Sequence, residues 1–129
     1  MNLIKTIRLM NTLEIFGISF ALLSVIFGAF GAHLLKKTLP ETALQSFEVG
    51  IRYMMYHGLA LLLVSSLQLE DNAWISRLFI GGTLLFSFSI FFLSLQSVIK
   101  FNLKWLGPVT PIGGLLLVMG WIVLLFKFI

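Results

Sequence analysis

Residues 14–37 read EIFGISFALLSVIFGAFGAHLLKK. No ionisable side chain falls between Glu14 and His33, so Ile15–Ala32 is an unbroken run of apolar and small residues. A helix needs about 17–25 mostly apolar residues to cross roughly 30 Å of hydrocarbon, and this run has that length. A secretory signal shares its outline, with Lys5 and Arg8 as a basic start and Ala29 and Gly31 small enough for cleavage. The run is longer than the roughly 7–15 apolar residues of a signal core, so it reads as a membrane span. His33, Lys36 and Lys37 mark its far end.

Three further runs follow. They are 53–69 between Arg52 and Glu70-Asp71, 78–99 between Arg77 and Lys100, and 112–126 between Pro111 and Lys127. The chain has 129 residues, of which 59% are hydrophobic and 11% charged. Soluble domains carry about 45–50% apolar and about 25% charged residues, and a fold this small cannot hide the difference, so lipid must serve as part of its solvent. Trp74, Trp105, Trp121 and Tyr53 fall near run ends, where interfacial aromatics belong. Nothing alternates like barrel strands, and backbone in lipid must satisfy its own hydrogen bonds. The expected fold is an all-α membrane protein with four transmembrane helices in one domain, residues 1–129.

The net charge of +4 is scattered at span ends rather than gathered on a face, which excludes nucleic acid as a partner. Lys5, Arg8, Arg77 and Lys127 share one side of the membrane, and Lys36, Lys37, Arg52, Lys100 and Lys104 share the other. Sets so nearly equal favour neither orientation. There are no cysteines, which removes disulfides, thiolate metal sites and a thiol nucleophile.

Small residues mark the first span. Gly17, Ala21, Ser24, Gly28 and Ala32 recur at helical spacing, with Gly31 beside them. Small residues let membrane helices approach closely, so this stripe is a packing seam. Gly113 and Gly120 form a shorter version in the fourth span, and Thr83, Ser87, Ser94 and Ser97, with Gln96 nearby, place hydroxyls along the third. Such hydroxyls bond to backbone or to a neighbouring helix.

The segment between the first two spans is amphipathic. Thr38-Leu39-Pro40-Glu41 fits a capping box, and Leu44, Phe47 and Ile51 repeat at helical spacing. An interfacial amphipathic helix over 39–52, bending at Gly50 into the second span, is expected. Glu48 and Arg52 are placed to pair, and Tyr56 and His57 follow on that side. His33 ends the first span on the same side of the membrane. The candidate polar cluster is therefore His33, Glu48, Arg52, Tyr56 and His57. Its readings are a network that locks the interfacial helix, a ligand or proton site, or a metal site. The spacing matches no metal signature, and neither metal nor cofactor is expected.

Gly107-Pro108-Val109-Thr110-Pro111 fixes a rigid entry to the fourth span, with Thr110 as expected N-cap and Pro111 as first helical residue. The loop lies on the side of His33 and forms either a plain turn or the mouth of a pocket.

Three motifs together carry a family resemblance. They are Gly28-Ala29-x-Gly31-Ala32-His33; Phe47-Glu48 followed by Tyr53, Tyr56 and His57; and Gly107-Pro108-x-Thr110-Pro111-x-Gly113-Gly114. In this order they resemble the small membrane family called domain of unknown function 423, whose animal relatives are called transmembrane protein 256. The resemblance runs from the first span to the fourth. It implies a four-span protein, here of a bacterial inner membrane, and supplies no reaction.

Three functions remain in view. An accessory subunit or assembly factor of a larger membrane complex, or a homo-oligomer, suits the small size and the seam. A carrier of a small solute, ion or lipid would use the polar cluster. An enzyme would need Glu48 with His33 or His57 for acid–base work, but no nucleophile accompanies them, so the expectation is a protein without catalytic activity.

Overall fold

In a computed structural model that describes residues 2–129, the chain folds into four helices long and apolar enough to cross a membrane. They are α1 (Leu3–Leu35), α2 (Glu41–Ser66), α3 (Ala73–Ile99) and α4 (Val109–Phe126), the last entered through a short 3₁₀ turn at Lys104–Leu106. Among the described residues there is no strand. Each helix runs antiparallel to the next, and α2 with α3 forms the centre. α1 packs along α2 and α4 along α3, and among the described residues the flanking pair α1 and α4 do not meet.

All four helices begin before their apolar runs, while α2 ends at Ser66, three residues short of the run 53–69. α1 begins twelve positions before Ile15 because Asn2 caps it, its side-chain oxygen accepting from the Ile4 N–H at 3.1 Å. The expected capping box at Thr38 does not form. Pro40 is the residue before α2, and the Thr38 hydroxyl instead donates back to the Leu35 carbonyl at 3.3 Å, closing the end of α1. The separate interfacial helix is also absent as such, because residues 41–66 are one helix that passes through Gly50 without a break. Gly50 is there for clearance. A methyl on it would stand 2.6 Å from the ring of Phe91 in α3. α4 starts two positions earlier than Thr110-Pro111 predicts, at Val109 after Pro108. Pro111 is tolerated there because first-turn N–H groups have no helical acceptor anyway.

The seam on α1 divides in two. A methyl on Gly17 would meet the Gly58 carbonyl oxygen at 2.8 Å, and one on Gly58 would meet the Gly17 carbonyl at 2.9 Å. Here backbone rests on backbone. Gly28 has Ile51 at 3.7 Å and Gly31 has Phe47 at 3.6 Å, which is ordinary contact. Ser24 is buried, Ala21 and Ala32 are half-buried, and Gly28 is exposed. The tight contact of the stripe within the bundle is the Gly17–Gly58 crossing. The FGAFG stretch Phe27–Gly31 is π-helical, as is Leu84–Phe88 in α3. These widened turns adjoin a group of phenylalanines in which the rings of Phe27 and Phe91 stand 5.3 Å apart and those of Phe47 and Phe91 4.9 Å apart.

The core is made of Leu13, Met54, Leu61, Val64, Ile75 and Phe79, all fully buried. Outward faces stay apolar as well. Ile15, Ile18, Leu22 and Val25 on α1, and Leu115, Val118 and Leu125 on α4, are each more than half exposed. An apolar shell around an apolar core is what a bilayer solvates, and the chain is an integral membrane protein.

Candidate functional site

Two stripes on α2 decide where the predicted site residues go. Gly50, Met54, His57, Leu61 and Val64 repeat at spacings of four and three and face inward, all of them buried. Arg52, Tyr56, Leu59 and Leu63 repeat on the other side and are exposed, with Glu48 half-buried one turn before Arg52. Tyr56 and His57 are neighbours in sequence, yet successive helical residues point about 100° apart, so they belong to opposite stripes.

The expected convergence of five polar residues therefore does not form. Among the described residues no hydrogen bond or ion pair joins any two of His33, Glu48, Arg52, Tyr56 and His57. His33 is exposed near the end of α1. Nor does any group of three or more His, Asp or Glu gather as metal ligands would among the described residues.

His57 is held by two bonds. Its Nδ1 lies 2.7 Å from the Tyr53 carbonyl, one helical turn back. Its Nε2 lies 3.0 Å from the indole Nε1 of Trp121 in α4. An indole N–H can only donate, so Nε2 accepts and the ring proton sits on Nδ1, donated to Tyr53. This network assigns the tautomer. Phe79 closes the third side, its ring centroid 5.5 Å from the imidazole and 4.9 Å from the indole. A histidine 4% exposed, with both nitrogens engaged, is a strut between α2 and α4 across the α3 surface. Trp121 stands five residues before the end of α4, level with Phe79, whose ring a methyl on Gly120 would meet at 2.6 Å.

The α3 hydroxyls behave unequally. Ser87 donates to the Gly50 carbonyl at 2.8 Å and ties α3 to α2 in the buried centre. Ser97 is exposed, and Gln96 accepts from the Leu103 N–H at 3.4 Å. Thr83 and Ser94 are buried, and neither hydroxyl has a protein partner. Ser89, which the sequence reading passed over, donates to the Phe86 carbonyl at 2.9 Å and sits 2.6 Å from the Thr110 hydroxyl. Thr110 is thus a clamp between α4 and α3 rather than a cap. Gly107, Thr110 and Pro111 line a cleft with Thr42, Ser46 and Ser94, so the rigid loop does border a pocket. At the other end of the bundle, Ser65 donates to Glu14 at 3.1 Å and fastens α2 to α1, a pair that no spacing rule within one helix could have revealed.

The arrangement can be set beside known proteins. The model of a family described as "Protein of unknown function (DUF423)" matches residues 27–114, from the first π-helical turn through Gly113-Gly114. Among curated relatives, the UPF0382 membrane protein SAB0533 of Staphylococcus aureus strain bovine RF122 / ET3-1 is 38% identical over 125 residues, spanning 92% of this chain and 98% of that one. The UPF0382 membrane protein YwdK of Bacillus subtilis strain 168 is 35% identical over 123 residues, 89% of this chain and 94% of its own. The UPF0382 membrane protein C1782.12c of Schizosaccharomyces pombe is 39% identical over 106 residues, 81% of this chain and 90% of its own. No solved structure matches. A match across most of the four-helix bundle, with relatives covered nearly end to end, places the chain in the membrane-protein family of unknown function DUF423.

Proposed function

We propose that this chain is a non-catalytic accessory subunit that docks sideways onto a larger membrane protein through the Glu48–Arg52–Tyr56 stripe of α2. One observation carries the reading: Arg52 is exposed near the middle of a helix long enough to span, with no ion-pair partner among the described residues. Its neighbour Tyr53 packs on Phe86, halfway along α3, with the rings 4.9 Å apart. Ile51, on its other side, faces Gly28 inside the apolar run of α1, so Arg52 lies within the edge of the apolar layer rather than beyond it. A charge at the bilayer centre costs about 3 kcal/mol on insertion scales and less towards the edge, and such residues as a rule face protein or water. A partner carboxylate at the same depth would remove that cost, with Tyr56 adding amphipathic contact area.

The test is affinity purification at native expression in mild detergent, read by mass spectrometry. The wild-type chain should bring down a stoichiometric larger membrane protein. Arg52→Leu should lose at least about tenfold of it, the equivalent of roughly 1.4 kcal/mol, at unchanged abundance of the chain. Recovery of the wild type alone, as monomer or homo-oligomer, would refute the reading.

A second reading, a carrier for a small solute, ion or lipid, draws support from the buried hydroxyls of Thr83 and Ser94 that no protein group satisfies. Flux of a candidate solute into proteoliposomes, abolished by Thr83→Val, would support it over docking.

A further inference from the structure

A cleft of about 510 Å³ opens between the start of α2, the last turns of α3 and the entry to α4. Its polar side chains are Thr42, Ser46, Ser94 and Thr110, and no charged residue lines it. Counting protons shows what it offers, since each hydroxyl has one to give. Ser46 donates its own to the Thr42 carbonyl at 3.1 Å. Ser89 gives its proton to the Phe86 carbonyl, so Thr110 is the donor in the 2.6 Å Ser89–Thr110 pair. Ser46 and Thr110 thus keep only lone pairs. Ser94 is the reverse case. It is 5% exposed, and its hydroxyl has no partner.

We propose that the cleft binds an uncharged group carrying a hydroxyl beside a carbonyl. The carbonyl oxygen accepts from Ser94, and the hydroxyl donates to Ser46 or Thr110. Ser94 lines the cleft with its hydroxyl oxygen buried, so binding requires the side chain to turn into another staggered χ1 well. A charged headgroup does not suit this wall, because it would lose water and gain no counter-charge. Ile90 and Leu93 supply an apolar side for an adjoining chain. Thr42 lies in the first turn of α2 and Ser94 near the end of α3, so the cleft sits at one end of the bundle. Thr110 and Pro111 adjoin the start of the apolar run 112–126, so the cleft lies where an apolar span meets a polar connection, a place suited to a ligand with a polar group and an apolar chain. The chemistry has two sources, a glyceride from the membrane or a small soluble hydroxy-ketone. The proposal does not rest on the docking surface, which lies on the outward stripe of α2.

The test uses the full chain in phosphatidylcholine nanodiscs with a photoactivatable diacylglycerol, the labelled peptides being mapped by mass spectrometry. Label should fall on residues 41–47, 90–95 or 107–112 and be displaced by an excess of unlabelled diacylglycerol. Ser94→Ala and Ser46→Ala should each lower labelling about fivefold, the effect of losing one neutral hydrogen bond, and thermal unfolding of Ser94→Ala should match the wild type. Competition by dihydroxyacetone in place of diacylglycerol would assign the soluble source and uphold the chemistry. Equal competition by phosphatidic acid, or full labelling of both variants, would overturn it. Earlier unfolding of Ser94→Ala would do the same, since the hydroxyl would then serve packing.

Discussion

Gly113→Ala is expected to lower the unfolding free energy by about 2–3 kcal/mol, the range for forcing atoms into a filled contact. The added methyl would stand 2.8 Å from the Cα of Phe86 and 2.9 Å from the carbonyl carbon of Leu85. Both are backbone atoms inside the π-helical turn of α3, so no side chain can swing aside to make room. The better helix propensity of alanine, about 1 kcal/mol, offsets only part of the strain. Gly58→Ala should behave alike at the α1–α2 crossing, where the methyl would meet the Gly17 carbonyl. Gly28→Ala supplies the contrast. Its nearest neighbour would be a side-chain carbon of Ile51 at 3.7 Å, so the change should be neutral or stabilising by up to about 1 kcal/mol. Titration with denaturing detergent in mixed micelles, followed by circular dichroism, measures all three. If Gly113→Ala and Gly28→Ala shift the midpoint equally, close backbone packing is not what holds these helices together.

That contrast also marks where sequence reading stops. Gly17 and Gly28 hold equivalent places in one stripe, and only the distance to the facing helix separates a backbone contact from open packing. The four spans were legible because hydrocarbon demands an apolar run of fixed length, and nothing soluble produces four of them. Their ends were not, because a helix continues wherever its backbone is satisfied. Residues 3–14 of α1 and 41–52 of α2 are helical without being strongly apolar. The candidate cluster failed for an angular reason. Periodicity reveals two stripes on α2 but not which faces in, and adjacency in sequence invites grouping Tyr56 with His57 although the helix turns them apart. The partners that fix the site, Trp121 for His57 and Ser89 for Thr110, lie 64 and 21 positions away, beyond the reach of any spacing rule. The Gly-Pro-x-Thr-Pro stretch was read as a break before the fourth span, which two prolines and a glycine impose, but residue types left open whether it is a plain turn or borders a cleft, and Thr110 and Pro111 fall inside α4.

His57→Ala is expected to cost about 3 kcal/mol, from a cavity in the α2–α3–α4 contact plus the loss of a buried hydrogen bond. The imidazole fills space against Phe79 and accepts from the Trp121 indole at 3.0 Å. Trp121→Phe should cost less, about 1 kcal/mol, since the ring volume largely stays and a single bond is lost. The double variant should cost less than the two changes added, with a coupling of about 1 kcal/mol, because each single change removes the same bond. Detergent titration of the four proteins closes this cycle. The strut also separates two roles for the histidine. If its work is to hold α4 against α2, complementation of a deletion strain by His57 variants should track how much folded protein they accumulate, and His57→Gln should rescue in proportion to its stability. A variant that accumulates normally and still fails to complement would mean that the imidazole has a task beyond the bond to Trp121. The tautomer with its proton on Nδ1, facing Tyr53, would then be the place to begin looking for it.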